Sequence, residues 1–341
     1  MAVLGIDTHK HTHAAIVLDD LGRIQVADTF GTTDRDNRRL LAWATTHGPI
    51  TRAGVEGTGS YGYRLARTLT DAGIQVVEVS RPDRARRRRK GKTDLVDAEA
   101  AARAVLAEDA TAIPKDRRGP VGELRCLVIA RRSAVKARSQ ATNQIKALLV
   151  DADDQLRRRL HHARTRELVA RCSRIHATDG RKTALRSLAR RCQALDTEIR
   201  DLDVLITELV ETTVPALLER HGIGVHCAAQ LLITAGDNPD RLRSEGAFAA
   251  LCGVSPVAAS SGKTHRNRLN LGGDRQANTA LWMIAHVRLV HDERTKAYAA
   301  KRTALGDNRR EIMRRLKRYI VREVYPIILE ALVDVEARHL T

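Results

Sequence analysis

The sequence predicts an α/β unit followed by a long, mainly α region, and three observations carry that expectation. Short β-prone runs alternate with helical segments over the first hundred residues, a leucine seam at heptad spacing runs through the middle, and strand signals are sparse thereafter. Runs at 2–6 (AVLGI), 14–18 (AAIVL) and 23–29 (RIQVADT) are separated by polar or glycine turns, which predicts an antiparallel meander. A helix is expected over 33–47, a strand near 52–56, a helix near 61–72 and a strand at 75–79. The segment 80–92 (SRPDRARRRRKGK) breaks the alternation with eight basic residues and one acid. A helix starts after it, where Thr93 and Asp94 supply an N-terminal cap.

Helical signals dominate from 122 to 219. Leu185, Leu188, Cys192, Leu195, Ile199, Leu202, Ile206 and Leu209 recur at alternating spacings of three and four, an a/d seam over about four heptads. Residues 124–149 offer an antiparallel partner, so a coiled-coil arm or helical hairpin is expected. Such an arm sets oligomer geometry, holds nucleic acid or serves as an intramolecular spacer. The remainder reads as helical, broken by a loop at 253–273. Its last helices, over 308–325 and onward to 335, carry Arg309, Arg310, Arg314, Arg315, Lys317, Arg318 and Arg322. The domains expected are 1–112, 120–213 and 214–341.

Charge narrows the function. The 341 residues include 59 Lys+Arg against 41 Asp+Glu, a net charge of +18, and 48 of the 59 are arginine. Guanidinium forks suit phosphate oxygens, so polyanions are the expected partners. A hydrophobic fraction of 43% excludes a disordered basic tail, and 3% aromatic residues argue against a single-strand binder built mainly on stacking platforms. No apolar run approaches the roughly 18 residues of a membrane span, and Asp7 stands where a signal peptide would be apolar. A cytoplasmic protein with no membrane partner is expected. The five cysteines are odd in number and form no Cys-x-x-Cys, so neither a disulfide framework nor a zinc site is suggested.

Carboxylates carry the chemistry. Asp7 ends the first strand in GIDTHK, and Glu56 ends another in GVEGTGSYG, where neighbouring glycines let the backbone turn sharply. Asp94 and Asp97, in KTDLVDA, are three apart and project from one helix face. Four converging carboxylates repel one another unless cations neutralise them, and such groups usually hold Mg²⁺. Two ions about 3.5–4 Å apart activate an attacking oxygen and stabilise a leaving one in phosphodiester chemistry. His9, His11 and His13 invite a metal reading too, but read as surface residues.

The order GIDTHK, GVEGTGSYG, basic loop and KTDLVDA resembles the RuvC-type, ribonuclease-H-like domain of the DEDD insertion-sequence transposases. That family also contains the Piv-type DNA invertases and the bridge-RNA-guided recombinases, and the resemblance extends over essentially the whole chain. It implies that Asp7, Glu56, Asp94 and Asp97 are the metal ligands, holding Mg²⁺ as two ions. The segment 219–237 (ERHGIGVHCAAQLLITAGD) resembles a helix-hairpin-helix unit, with Gly222 and Gly224 admitting a phosphate to backbone N–H groups. His221 stands where many members of the family have proline. After FAALCGVSP, Ser261 matches the family's nucleophilic serine, which would form a phosphoserine link that conserves bond energy for religation. On chemistry alone Ser260 is an alternative. Lys263, His265, Arg266 and Arg268 follow and would neutralise the phosphate, as would Arg86, Arg87, Arg88, Arg89, Lys90 and Lys92 ahead of Asp94.

The resemblance therefore implies a recombinase of a mobile element with donor and target DNA as substrates. It also implies a structured guide RNA from the element's flank. The serine loop and the carboxylates fall in different expected domains, and the seam from Leu185 to Leu209 suits self-association, so a homodimer or homotetramer with the complete site assembled across protomers is expected. The other readings are a metal-only RuvC-like nuclease or Holliday-junction resolvase in which water attacks, and a non-catalytic nucleic-acid scaffold with solvated carboxylates.

Overall fold

A computed structural model describes residues 2–79, 93–160, 162–259 and 267–340. The chain divides into two units, Met1–Asp116 and Arg117–Thr341.

In the first unit, β1 (Ala2–Thr8), β2 (His13–Leu18) and β3 (Ile24–Phe30) form the antiparallel meander. The β1–β2 turn is closed by the His9 amide donating to the Thr12 carbonyl at 2.9 Å. Helix α1 (Asp34–Thr45) begins at a capping box in which the Thr33 hydroxyl accepts from the Asp36 N–H while the Asp36 carboxylate accepts from the Thr33 N–H. It leads into β4 (Ile50–Glu56), parallel to β1; α2 (Tyr63–Asp71) then leads into β5 (Gln75–Val79), parallel to β4. The sheet order is β3-β2-β1-β4-β5.

Both sheet faces are covered, which is why β1 is buried along its whole length and its first five residues read as a continuous apolar run. On one face Leu4, Ile6, Val17 and Val55 pack against Leu40 of α1 and Leu65 and Leu69 of α2. On the other, Val3, Ile16, Leu18, Val77 and Val79 pack against Ala98, Ala101, Ala102 and Val105 of helix α3 (Asp94–Leu106). Gly5 and Gly54 are register partners beneath α3. A Cβ on Gly5 would stand 2.2 Å from the Ala98 carbonyl oxygen, and one on Gly54 would stand 2.5 Å from that of Ala101. The helix therefore lies directly on strand backbone, an approach only glycine below and alanine above permit.

The second unit begins with α4 (Pro120–Val150), followed by α5 (Asp154–Leu160), α6 (Thr165–Ser173) and α7 (Gly180–Thr213). Arg131 pairs with Asp203, Arg138 with Asp196 at 2.9 Å, and Arg181 donates to the Asp151 carbonyl, so α4 and α7 run antiparallel as a hairpin. Leu185, Cys192, Ile199 and Ile206 are buried, while Leu188, Leu195, Leu202 and Leu209 are half-buried. The heptad seam is thus engaged within the chain. Helices α5 and α6 close the hairpin's far end around Leu156, Leu160, Leu168 and Cys172.

At the near end, Val121, Leu124, Ile206 and Val210 share one core with the C-terminal helices. These are α8 (Pro215–Leu218), α9 (Val225–Ala235), α10 (Glu245–Leu251), α11 (Arg275–His291), α12 (Glu293–Ala304) and α13 (Arg309–Leu340). The Asp237 carboxylate accepts the N–H groups of Val121 and Gly122, each at 2.9 Å, and satisfies the start of α4. The expected loop at 253–273 contains a short antiparallel ladder, β6 (Val257–Ala258) with β7 (Asn267–Arg268). The last helices prove to be one, running through Pro326. Burial of Ile320, Val324, Ile328 and Leu332 offsets the roughly 3 kcal/mol an interior proline costs. No helix among the described residues is long and apolar enough to cross a membrane.

The glycine floor under α3 yields a direct expectation. Gly54→Ala should lower stability by about 1–3 kcal/mol through overpacking, measured by thermal unfolding. An unchanged melting temperature would contradict the close approach.

Candidate functional site

Register and helix docking place the acidic residues on one side of the sheet and bring Asp7 and Asp94 together. Ile6 pairs with Val55, so Asp7 and Glu56 follow as neighbours at the ends of two parallel strands, on the face that α3 covers. The turn after Glu56 is fixed by the Thr8 hydroxyl donating to the Glu56 carbonyl at 2.7 Å and by Gly57, whose φ of 78° is the left-handed region glycine favours. Thr93 caps α3, its hydroxyl accepting the Val96 N–H at 3.3 Å. Asp94 and Asp97 therefore sit in the first helical turn, where exposed N–H groups favour negative charge.

Asp7 and Asp97 are buried and Asp94 is exposed. Burial pushes the Asp7 carboxyl above the usual carboxylate range; His9 offsets part of this, and the charges of Asp97 and Asp94 push it further up. The His9 imidazole lies between two of these acids, its Nε2 3.1 Å from Asp7 and 3.2 Å from Asp94. Among the described residues, Asp7, His9 and Asp94 each bring a ligand atom within 4.8 Å of the others. A desolvated carboxylate destabilised by two like charges, with an Asp94 oxygen and the His9 nitrogen beside it, suits a divalent cation; Glu56 and Asp97 are not in this three-residue group.

Two of the three histidines depart from a shared surface position. His9 is exposed but joins the acidic group, and His13 is 1% exposed. A turn separates the two, so alternate spacing does not keep them on one side: His13 begins β2 on the opposite face, with burial pushing its pKa down. His11 is exposed.

The remaining expected site residues are distributed differently. Gly222 adopts φ 78° and packs against α11, where Arg288 donates to the His221 carbonyl at 2.8 Å and is clamped by Glu323. Gly224 precedes α9 with no side-chain cap and open space beside it. Arg268 is exposed in β7. Arg86, Arg87, Arg88, Arg89, Lys90 and Lys92, together with Ser260, Ser261, Lys263, His265 and Arg266, lie outside the described residues.

A mixed sheet with acids at adjacent strand ends and on the helix above them is consistent with the catalytic domain of a DEDD transposase. The transposase model DEDD_Tnp_IS110 matches residues 4–152, and the model of the transposase IS116/IS110/IS902 family matches residues 214–300. Each of these matches covers less than half of the chain, and both are to transposase families. The chain is 28% identical over 145 residues to an uncharacterized protein of insertion element IS110 from Streptomyces coelicolor, covering 42% of this chain and 36% of that one. It is 29% identical over 127 residues to an uncharacterized protein of insertion element IS900 from Mycobacterium paratuberculosis, covering 36% of this chain and 32% of that one. The matches thus span about a third of each relative's length. A DEDD-type transposase domain, the kind matched over residues 4–152, implies use of a divalent metal.

The site can be tested without assaying catalysis. Because the fold raises the Asp7 pKa, it disfavours the ionised form, so the neutral Asp7→Asn should be more stable in metal-free buffer. Added Mg²⁺ or Mn²⁺ should raise the melting temperature of the wild type and leave Asp7→Asn nearly unmoved, at about 2–4 °C per kcal/mol. Equal cation responses would count against the site.

Proposed function

We propose that this chain is a DNA transposase that cuts and rejoins strands of an insertion element, with Asp7, Glu56, Asp94 and Asp97 holding two Mg²⁺ ions and Ser261 acting as nucleophile. The observation that carries the metal half is the buried Asp7 facing Asp94 and Asp97 at the start of α3. When bound, the ions supply Lewis-acid stabilisation of charge on the phosphate and the departing oxygen. The carboxylates fix those ions, and α3 fixes two of the carboxylates.

In the strand-cutting step the Ser261 Oγ loses its proton and bonds to phosphorus. The phosphorus bond to the 3′ oxygen breaks, and that oxygen leaves as a hydroxyl. Reversal on another 3′ hydroxyl restores the serine and rejoins DNA without an external energy source. Lys263, Arg266 and Arg268 neutralise the phosphate, while Arg86, Arg87, Arg88, Arg89, Lys90 and Lys92 hold backbone near the acids. Gly222 and Gly224 offer backbone N–H groups to a further phosphate as a helix-hairpin-helix-like unit. The α4–α7 hairpin acts as a coiled-coil arm in a dimer or tetramer. A structured RNA from the element's flank supplies sequence choice by base pairing, and the basic surface holds its backbone.

Ser261→Ala should abolish a covalent protein–DNA adduct on denaturing gels, while Ser260→Ala should retain it. Strand exchange by wild-type protein with no adduct would instead favour a metal-only nuclease. Asp97→Asn should slow strand cutting by about a hundredfold or more, the scale of losing a principal charge stabiliser. Undiminished cutting would exclude the carboxylates from the reaction.

A further inference from the structure

The second unit contains a cleft of about 1110 Å³ between residues 253–256, residues 268–273, the start of α11 and the first half of α13. Its construction is unusual for a surface that only tracks a phosphate backbone. The walls hold nine arginine or lysine residues and no acid among the described residues, yet the interior is apolar. Leu271 is 84% exposed, Tyr319 50% and Trp282 42%, and all three line the same cavity.

Local packing holds these groups open to solvent. The ends of the segment are pinched where Gly273 meets Gly253, at an approach that leaves 2.2 Å for a Cβ on Gly273. Asn278 donates to the Gly253 carbonyl at 2.9 Å and accepts from Lys317 at 2.7 Å. Asn270 donates to the Ala250 carbonyl at 3.1 Å, so the asparagine turns inward and its leucine neighbours face out. The Trp282 indole is stacked parallel to His286 at 5.0 Å, and Arg322 lies 5.5 Å over the Tyr319 ring. Arg309, Arg310, Arg314 and Arg275 have no carboxylate partner among the described residues, whereas Arg315 and Arg318 are engaged by Asp307 and Glu245.

We propose that this cleft receives one unpaired nucleotide of a DNA strand, its base against Trp282 and Leu271 and its flanking phosphates on the arginines of α13. The proposal rests on the reading of the chain as acting on DNA. A paired duplex offers cations its phosphates but keeps its base faces stacked inside, so it leaves the apolar interior unfilled. A base out of the stack brings planar apolar surface and phosphate together, the two features the cleft joins. A volume of 1110 Å³ exceeds what one base requires and accommodates its sugar and phosphates. An acidic peptide with an apolar side chain is the competing occupant. Arginine predominance and the proposed action on DNA favour nucleic acid.

The test compares the full chain binding a short duplex that carries one unpaired 2-aminopurine with the same duplex fully paired, at one salt concentration. The expected result is binding of the unpaired form tighter by about fivefold or more, the lower end of base–aromatic stacking, with quenched 2-aminopurine fluorescence. Trp282→Ala should remove the preference and the quenching while keeping affinity for paired duplex. Leu271→Ala, at a nearly fully exposed position, should reduce both and provides the check if the tryptophan variant does not fold. Equal affinity for the two duplexes, or a preference that survives both substitutions, overturns the proposal while leaving DNA binding intact. Absence of binding to either duplex overturns the DNA reading along with it. Binding of a Glu- and Leu-containing peptide that Trp282→Ala abolishes, without a preference for the unpaired base, assigns the cleft to peptide.

Discussion

The contact between α3 and the backbone of β1 and β4 is the constraint on which the candidate site depends. Gly5 and Gly54 are opposite each other in register, and the helix above them presents Ala98, Ala101 and Ala102. No side chain separates helix from sheet there, so the helix cannot roll or rise without opening the alanine-rich core. That fixes where the first turn of α3 lies, and with it Asp94 and Asp97. Asp7 is two residues beyond Gly5 and Glu56 two beyond Gly54, so the same floor that seats the helix ends in the acids facing it.

This arrangement sets packing against electrostatics. Alanines and glycines make α3 approach closely, which buries Asp7 and draws like charges toward it; the cost shows as an Asp7 carboxyl displaced above the ordinary range. His9 provides a partial counterweight between Asp7 and Asp94. A divalent ion there would remove like-charge repulsion and replace lost hydration, and both effects favour its binding.

Much of the first unit was legible in its sequence because its signals are local. The β-prone runs, the Thr33 and Thr93 caps and the acids at strand ends each depend on a few adjacent residues, and the resulting elements lie within a few residues of expectation. Register is non-local, so the pairing of Gly5 with Gly54 was not legible, nor was the consequence that α3 lies on bare backbone. The closeness of His9 to Asp94 was not legible because it depends on the 9–12 turn and on α3 together. In the second unit the heptad seam announced two long helices, and ion pairs along their length set them antiparallel. The single helix through Pro326 was not legible because buried side chains outweigh the local preference for a break. The serine was legible through resemblance and the basic segment before α3 through its charge, and both lie outside the described residues.

The central claim is that α3 and the ends of β1 and β4 form a divalent-cation site. Anomalous scattering from crystals of the full chain grown with Mn²⁺ tests it most directly. The account predicts peaks bounded by the carboxylates of Asp7, Glu56, Asp94 and Asp97, lost in Asp7→Asn. Manganese bound elsewhere, with the acidic group metal-free at saturating Mn²⁺, would contradict it.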